Sequence, residues 1–264
     1  MTVEGPREPE HPQVWAVRLP PPWDEALSLA LLDPAERRKA RSFRREPDRS
    51  RYLAAHTALR LLLAAHLECH PIDVLYGREQ CARCGGPHGR PVLLDREAGL
   101  RFSLSHSPGL SLVAIARVPL GVDAERVPGR RTVESCLERL HPEERRELLA
   151  VPEEERSLRF CRLWARKEAY LKALGTGFAR GLERDWLGDR AGPGTPARPT
   201  GWTVRNLSCG PQNTTHAAAL AVPSGTPVPA APRRLNWSAF QGDLHGRTVN
   251  CAGGNHVDIP MVCH

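Results

Sequence analysis

The 264-residue chain carries a formal charge of +7 at neutral pH, and 41% of its residues are hydrophobic, enough to build a core in one domain or two small ones. No apolar run reaches the roughly 18 residues that a membrane helix needs, and Glu4, Arg7, Glu8 and Glu10 interrupt the start, so neither a membrane span nor a signal peptide is expected and the chain reads as cytoplasmic. The eight cysteines read as reduced thiols rather than a disulfide framework.

In chain order, Asp33-Pro34-Ala35-Glu36 has the form of a helix cap with proline in the first turn. The helix it opens is basic. Between Glu36 and Arg51 stand eight basic residues (Arg37, Arg38, Lys39, Arg41, Arg44, Arg45, Arg49, Arg51) against three acids (Glu36, Glu46, Asp48), which concentrates most of the net charge in one place. A second helix is expected from about Pro47 to Leu67, with Tyr52, His56, Leu59, Leu63 and His66 on a face that reads as core.

Strands are expected at about 73–76, 91–94, 101–104 and 110–117. Cys81-Ala82-Arg83-Cys84, with His88 behind it, is half of a zinc site, but a second ligand pair at a recognisable interval is missing, so a metal-free loop is expected. Gly89-Arg90-Pro91 fixes a short backbone around one planar guanidinium. In Phe102-Ser103-Leu104-Ser105-His106-Ser107-Pro108-Gly109, two hydroxyls and an imidazole break the alternation of a strand, which puts Ser105 and His106 on a tight connection where small donors can approach a phosphate.

Gly121-Val122-Asp123-Ala124-Glu125 closes a strand expected at 119–125. Residues two apart share a face, so Asp123 and Glu125 converge at the strand end. Helices are expected from Pro142 and from Pro152 to about Gly175. In the second, Trp164, Glu168 and Lys172 follow one another at four-residue intervals beside the apolar stripe. Lys167 falls inside that stripe and must reach water or meet an anion. Three carboxylates and two lysines are what a divalent cation and a diphosphate ester need around them. Strands near 201–208 and 215–222 follow. Beyond Val222 the proline-rich, small-residue composition is expected to stay disordered.

Taken together, Gly-Val-Asp-Ala-Glu at 121–125, Trp-x-x-Lys-Glu-x-x-x-Lys at 164–172, Ser105-His106-Ser107 and Gly89-Arg90-Pro91 resemble, in order and spacing, the Sfp-type 4′-phosphopantetheinyl transferases, over roughly Leu27 to Val222. The resemblance implies an α+β (α/β) fold of two similar α/β subdomains related by pseudo-two-fold symmetry. The N-terminal subdomain would be 1–118, binding the adenosine and 3′-phosphate of coenzyme A. The C-terminal one would be 119–222, carrying Mg²⁺ and the catalytic residues, with the tail at 223–264.

The implied reaction moves phosphopantetheine from coenzyme A to a serine of an apo acyl or peptidyl carrier protein. Mg²⁺ would be held by Asp123, Glu125 and Glu168, with Glu168 as base directly or through a water, Lys172 stabilising the diphosphate and Lys167 beside them. The implied coenzyme A contacts are Arg37, Lys39, Arg51, Arg90, Ser105, His106, Asp123 and Lys172. A monomer is implied, with neither nucleic acid nor membrane as partner. Two positions depart from the family pattern: Arg90 stands for its usual lysine and Ser103 for its usual asparagine. Two other readings share some of these features. A nucleic-acid-binding module shares the basic charge, although 5% aromatic content and no docking motif argue against it. A metal-dependent phosphohydrolase shares the carboxylates.

Overall fold

The computed structural model describes residues 11–18, 25–81, 84–86, 89–95, 99–190, 192 and 194–240; His88 and the tail residues Cys251 and His256 lie outside them. The chain forms β1 (Gln13–Val17), α1 (Glu25–Leu31), α2 (Pro34–Arg41), α3 (Glu46–Leu67), β2 (Tyr76–Arg78), β3 (Pro91–Leu93), β4 (Arg101–Ser107) and β5 (Leu110–Ala116). It continues through β6 (Gly121–Arg126), α4 (Arg130–Cys136), α5 (Pro142–Ala150), α6 (Glu153–Leu174), β7 (Trp202–Leu207), β8 (His216–Pro223) and β9 (Arg233–Arg234). Among the described residues no helix is long and apolar enough to cross a membrane.

Two sheets carry the architecture, one in the order β4-β5-β1-β9 and one in the order β6-β8-β7. Each central strand is apolar on both faces because each face has a different neighbour. On β5, Val113 and Ile115 pack with Ala58, Leu59 and Leu63 of α3, while Leu112, Ala114 and Ala116 pack with Ala218, Leu220 and Val222 of β8. On β8 the alternate residues Ala217, Ala219 and Ala221 meet Ala165 and Ala169 of α6. The result is helix, sheet, sheet, helix, a mixed α+β arrangement with the common core between the sheets. Alanines on β8 let α6 lie close.

Gly121 is needed at the start of β6. A Cβ there would stand 2.0 Å from the Ala169 carbonyl oxygen and 2.5 Å from the Ala173 nitrogen, so only glycine lets the strand meet the helix backbone. α6 itself begins after Pro152 with Glu153, Glu154 and Glu155 in its first turn and ends at Gly175 with φ 74°, close to the expected limits.

The sheets also meet at an edge. Ser103, Ser105 and Ser107 project from one face of β4, and their hydroxyl oxygens accept from the backbone N–H groups of Val122, Ala124 and Arg126 at 3.0, 3.1 and 2.8 Å. β6 is an edge strand, and alternate serines satisfy donors that a neighbouring strand would otherwise take. This corrects the expectation of a tight connection at Ser105 and His106: both lie within β4, and the turn is Pro108-Gly109, with Gly109 at φ 89°.

The N-terminal half is pinned by a buried polar cluster. Arg60, 1% exposed, donates to Glu36 at 2.6 Å, to Asp33 at 2.9 Å and to the Pro71 carbonyl at 2.9 Å. His56 lies 2.8 Å from the same Glu36, which also accepts from the Tyr76 hydroxyl. This joins α2, α3 and β2.

The proline-rich segment does not match its expected disorder as far as Phe240. Arg233 and Arg234 pair in parallel with Trp15 and Ala16, Leu235 N–H donates to the Ala16 carbonyl at 3.0 Å, and the Trp237 indole donates to the Arg18 carbonyl at 2.7 Å. The physical reason is local: β1 offers an unpaired edge, and Leu235, Trp237 and Phe240 give the segment apolar side chains to bury against α3's cluster.

Candidate active site

The three carboxylates come together where β6 crosses α6. Asp123 is 2% exposed. Its Oδ1 accepts from Lys172 Nζ at 2.6 Å and from Ser105 Oγ at 2.9 Å, while its Oδ2 is buried with no hydrogen-bond partner among the described residues. Lys172 also donates to the Val122 carbonyl at 3.3 Å. Burial first, then the charges of Asp123 and Glu168, push the Glu125 carboxyl up to about 7. Burial and Asp123 likewise push Glu168 up to about 7, against the opposing pull of Lys172 and of the Trp164 indole that donates to it.

Three acids around one lysine leave an excess of negative charge. Among the described residues, no three His, Cys, Asp or Glu side chains stand close enough to hold a metal by themselves. Mg²⁺ does not require such a cage, since it takes one or two carboxylates and completes its shell with water and substrate phosphate. The residues fit that pattern. Asp123 has an unused buried oxygen, and Glu125 and Glu168 carry a mutual repulsion that a cation relieves.

Lys167 does not join them. It is 2% exposed, its ammonium lies 2.8 Å from Glu144 Oε2, and it donates to the Leu182 and Asp185 carbonyls at 2.6 and 2.7 Å. All three of its donors are therefore used away from the cluster. Glu144 in turn accepts from the Leu187 N–H at 2.6 Å and the His141 N–H at 3.0 Å. Lys167 had to meet an anion, and it does; the role is to tie α6 to α5 and the 182–187 loop, so the expected catalytic assignment is corrected.

The residues expected around coenzyme A are distributed over a wider area. Arg90 and Lys172 line one cavity of about 680 Å³ with Ser103, Leu104 and Phe178. Arg90 is already committed there, donating to the Ala173 carbonyl at 3.0 Å and pairing with Glu79 at 2.9 Å. Arg51 lines a second cavity of about 340 Å³ with Glu46, Ser50, Gly109 and Gln212, and pairs with Asp48 at 3.0 Å. His106 lies between these groups: desolvation in the cleft lowers its pKa, and His56, Lys172 and Arg51 add to the effect. Arg37 is turned to the end of α1, donating to the Leu32 and Ala30 carbonyls at 2.7 and 3.2 Å. Lys39 is exposed, 5.4 Å from the centre of the Phe43 ring. Neither Arg37 nor Lys39 lines the two cavities. Ser105 gives its hydroxyl to Asp123 and β6, so it orients the carboxylate instead of offering a free donor.

Sequence reasoning missed the serine seam and the Gly121 crossing. The signal was present in the alternation of Ser103, Ser105 and Ser107, whose period of two matches a strand face.

The seam of the two α/β layers thus carries an acid-rich cluster with one lysine, the kind of site a transferase acting on phosphate esters uses. Residues 119–221 match the family model of the 4′-phosphopantetheinyl transferase superfamily. The chain is 32% identical over 179 residues to a protein of Synechocystis sp. named as a candidate 4′-phosphopantetheinyl transferase, covering 66% of this chain and 68% of that one. It is 34% identical over 172 residues to the 4′-phosphopantetheinyl transferase HetI of Nostoc sp. (63% and 70%), and 24% identical over 155 residues to the Sfp enzyme of Bacillus subtilis (59% and 65%). The chain belongs to the 4′-phosphopantetheinyl transferase superfamily.

Proposed function

We propose that the protein moves the 4′-phosphopantetheine arm of coenzyme A onto a serine of an apo acyl or peptidyl carrier protein. The serine oxygen forms a new bond to the phosphorus that carries the pantetheine arm, the bond from that phosphorus to the bridging oxygen breaks, and adenosine 3′,5′-bisphosphate leaves. The observation that carries this reading is the Asp123 carboxylate, held on one oxygen by Lys172 and Ser105 and unpartnered on the other among the described residues. Asp123, with Glu125 and Glu168 beside it and with water and substrate phosphate completing the shell, would hold Mg²⁺, which when bound supplies positive charge to a diphosphate as it splits.

Lys172 offers its ammonium to the same diphosphate and, before substrate arrives, holds the Asp123 carboxylate in orientation. Glu168, with its carboxyl near 7 and its position fixed by the Trp164 indole, takes the proton of the incoming serine directly or through a water. His106 and Arg51 receive the 3′-phosphate end, and Arg90 positions the last turn of α6 beside the arm. Positioning and electrostatics do most of the work in phosphoryl transfer. A cytoplasmic monomer with an acidic carrier as partner completes this reading.

Mass spectrometry of an apo carrier protein incubated with this enzyme, coenzyme A and Mg²⁺ tests it. A mass gain of one phosphopantetheine is expected. Coenzyme A cleaved with no gain on the carrier would identify water as the acceptor and a phosphohydrolase instead.

A further inference from the structure

α6 carries a second functional-looking group, Arg166, on the side turned away from the carboxylates. Arg166 and Glu168 are two residues apart, about 200° around a helix of 3.6 residues per turn. Arg166 is 4% exposed. Its Nη1 donates to Asn206 Oδ1 at 2.6 Å and meets Asp189 Oδ1 at 2.7 Å, while its Nε is buried with no hydrogen-bond partner among the described residues. Asn206 cannot turn to satisfy more, because its Nδ2 donates to the Arg162 and Ala218 carbonyls at 3.1 Å each.

A cavity of about 440 Å³ opens over this guanidinium, at the outer edge of β7. Arg198, Arg205 and Trp202 line it together with Arg166, Asn206 and Asp189. Arg198 is held in place: its Nη2 donates to the Gly188 carbonyl at 2.6 Å, and it lies 5.4 Å from the centre of the Trp186 ring. Three guanidiniums therefore face one carboxylate, and that carboxylate is half-exposed at the rim. A neighbouring cavity of about 520 Å³ shares Arg166 and Asp189, but its acids Glu144 and Glu147 are engaged by Lys167 and by the Trp186 indole.

We propose that the cavity over Arg166 is a binding site for a phosphate-type dianion, separate from the carboxylate cluster. A phosphate group carries roughly −1.5 to −2 at neutral pH, which matches the unbalanced charge of the arginines. Its tetrahedral, multidentate oxygens suit guanidinium forks. Free phosphate and the phosphate of a nucleotide share this chemistry.

Calorimetric titration with inorganic phosphate at constant ionic strength tests the site. Arg198 and Arg205 are exposed, so Arg198→Ala/Arg205→Ala leaves the core alone. Phosphate affinity should fall about tenfold or more in that variant, the worth of one charge-assisted hydrogen bond. It should persist in Arg51→Ala/Lys172→Ala, which empties the cleft, and in Arg131→Ala/Arg139→Ala, which removes the same charge elsewhere. Unchanged affinity in the Arg198/Arg205 variant, equal losses in all three, or no saturable binding by the unaltered protein at millimolar phosphate overturns the proposal. Adenosine 5′-monophosphate is the second arm: tighter binding than phosphate through the same arginines assigns the site to a nucleotide, and equal binding assigns it to the free ion.

Discussion

Lys172 Nζ lies 2.6 Å from Asp123 Oδ1, and the other oxygen of that carboxylate, although buried, has no partner among the described residues. One cation therefore serves half of an anion, and the remaining half is the natural ligand for a metal. Mg²⁺ should raise the thermal midpoint of the substrate-free protein, and Asp123→Asn, which keeps the shape but removes the charge, should abolish both that shift and carrier modification. The shift is read by scanning fluorimetry. An equal Mg²⁺ response in Asp123→Asn would remove Asp123 from the metal site.

Lys167 makes the opposite prediction from its neighbour Glu168. Breaking a buried pair by deleting one partner costs about 3–5 kcal/mol, because the other charge is left buried and alone. Lys167→Ala should lower the urea midpoint accordingly. Lys167→Met/Glu144→Gln, which removes both charges but keeps acceptors for the Leu187 and His141 N–H groups, should recover part of the loss, and the folded fraction of that double variant should keep near-normal turnover. A collapse of turnover at full stability would return Lys167 to the chemistry.

Gly121→Ala tests how closely β6 and α6 must approach. The atoms that a new Cβ would strike are backbone, so the helix must move, at a cost of about 1–3 kcal/mol for overpacking. Glu168 and Lys172 sit on the same helix segment as Ala169 and Ala173. Turnover should therefore fall more than stability. Wild-type kcat in this variant would show that the helix position is not critical.

Glu36 sets an acid limit. Burial alone would raise its carboxyl, but hydrogen bonds from His56 and Tyr76 and the charges of His56 and Arg60 bring it down from 4.5 to about 2. A carboxyl whose pKa is lower folded than unfolded stabilises the fold above about 4.5 and loses that contribution as pH falls toward 2. The shift is worth about 3 kcal/mol at roughly 1.4 kcal/mol per unit. Denaturant titrations at pH 6, 4 and 3 should show this decline, and Glu36→Gln should flatten it while lowering stability at pH 6. Parallel pH profiles for both proteins would discount Glu36.

Arg51 separates anchoring from chemistry. Arg51→Ala should raise KM for coenzyme A more than KM for 3′-dephospho-coenzyme A, with kcat little changed. Equal penalties on both substrates would place the 3′-phosphate elsewhere.

Much of this was legible because it is local. Proline at 152 and glycine at 175 bound α6, and two-residue and four-residue spacings put Asp123 with Glu125 and Glu168 with Lys172. What escaped depends on partners far along the chain. Nothing near Lys167 announces Glu144, nothing in Ser105 says that β6 lies opposite, and Arg37 reads as a free cation until the end of α1 is placed beside it. The two-residue strand β9 forms only because β1, already paired with β5, offers it a free edge.

The serine seam between β4 and β6 has a mechanical consequence. Three hydroxyl contacts, each worth about 1 kcal/mol net, hold two sheets that share no backbone ladder along that line. A hydroxyl can rotate to keep its lone pair on a donor, a freedom that a peptide carbonyl in a ladder lacks. Ser105 is both the middle rivet of that seam and a hydrogen-bond donor to Asp123, so one side chain of β4 fixes the contact between the sheets and the orientation of the carboxylate together.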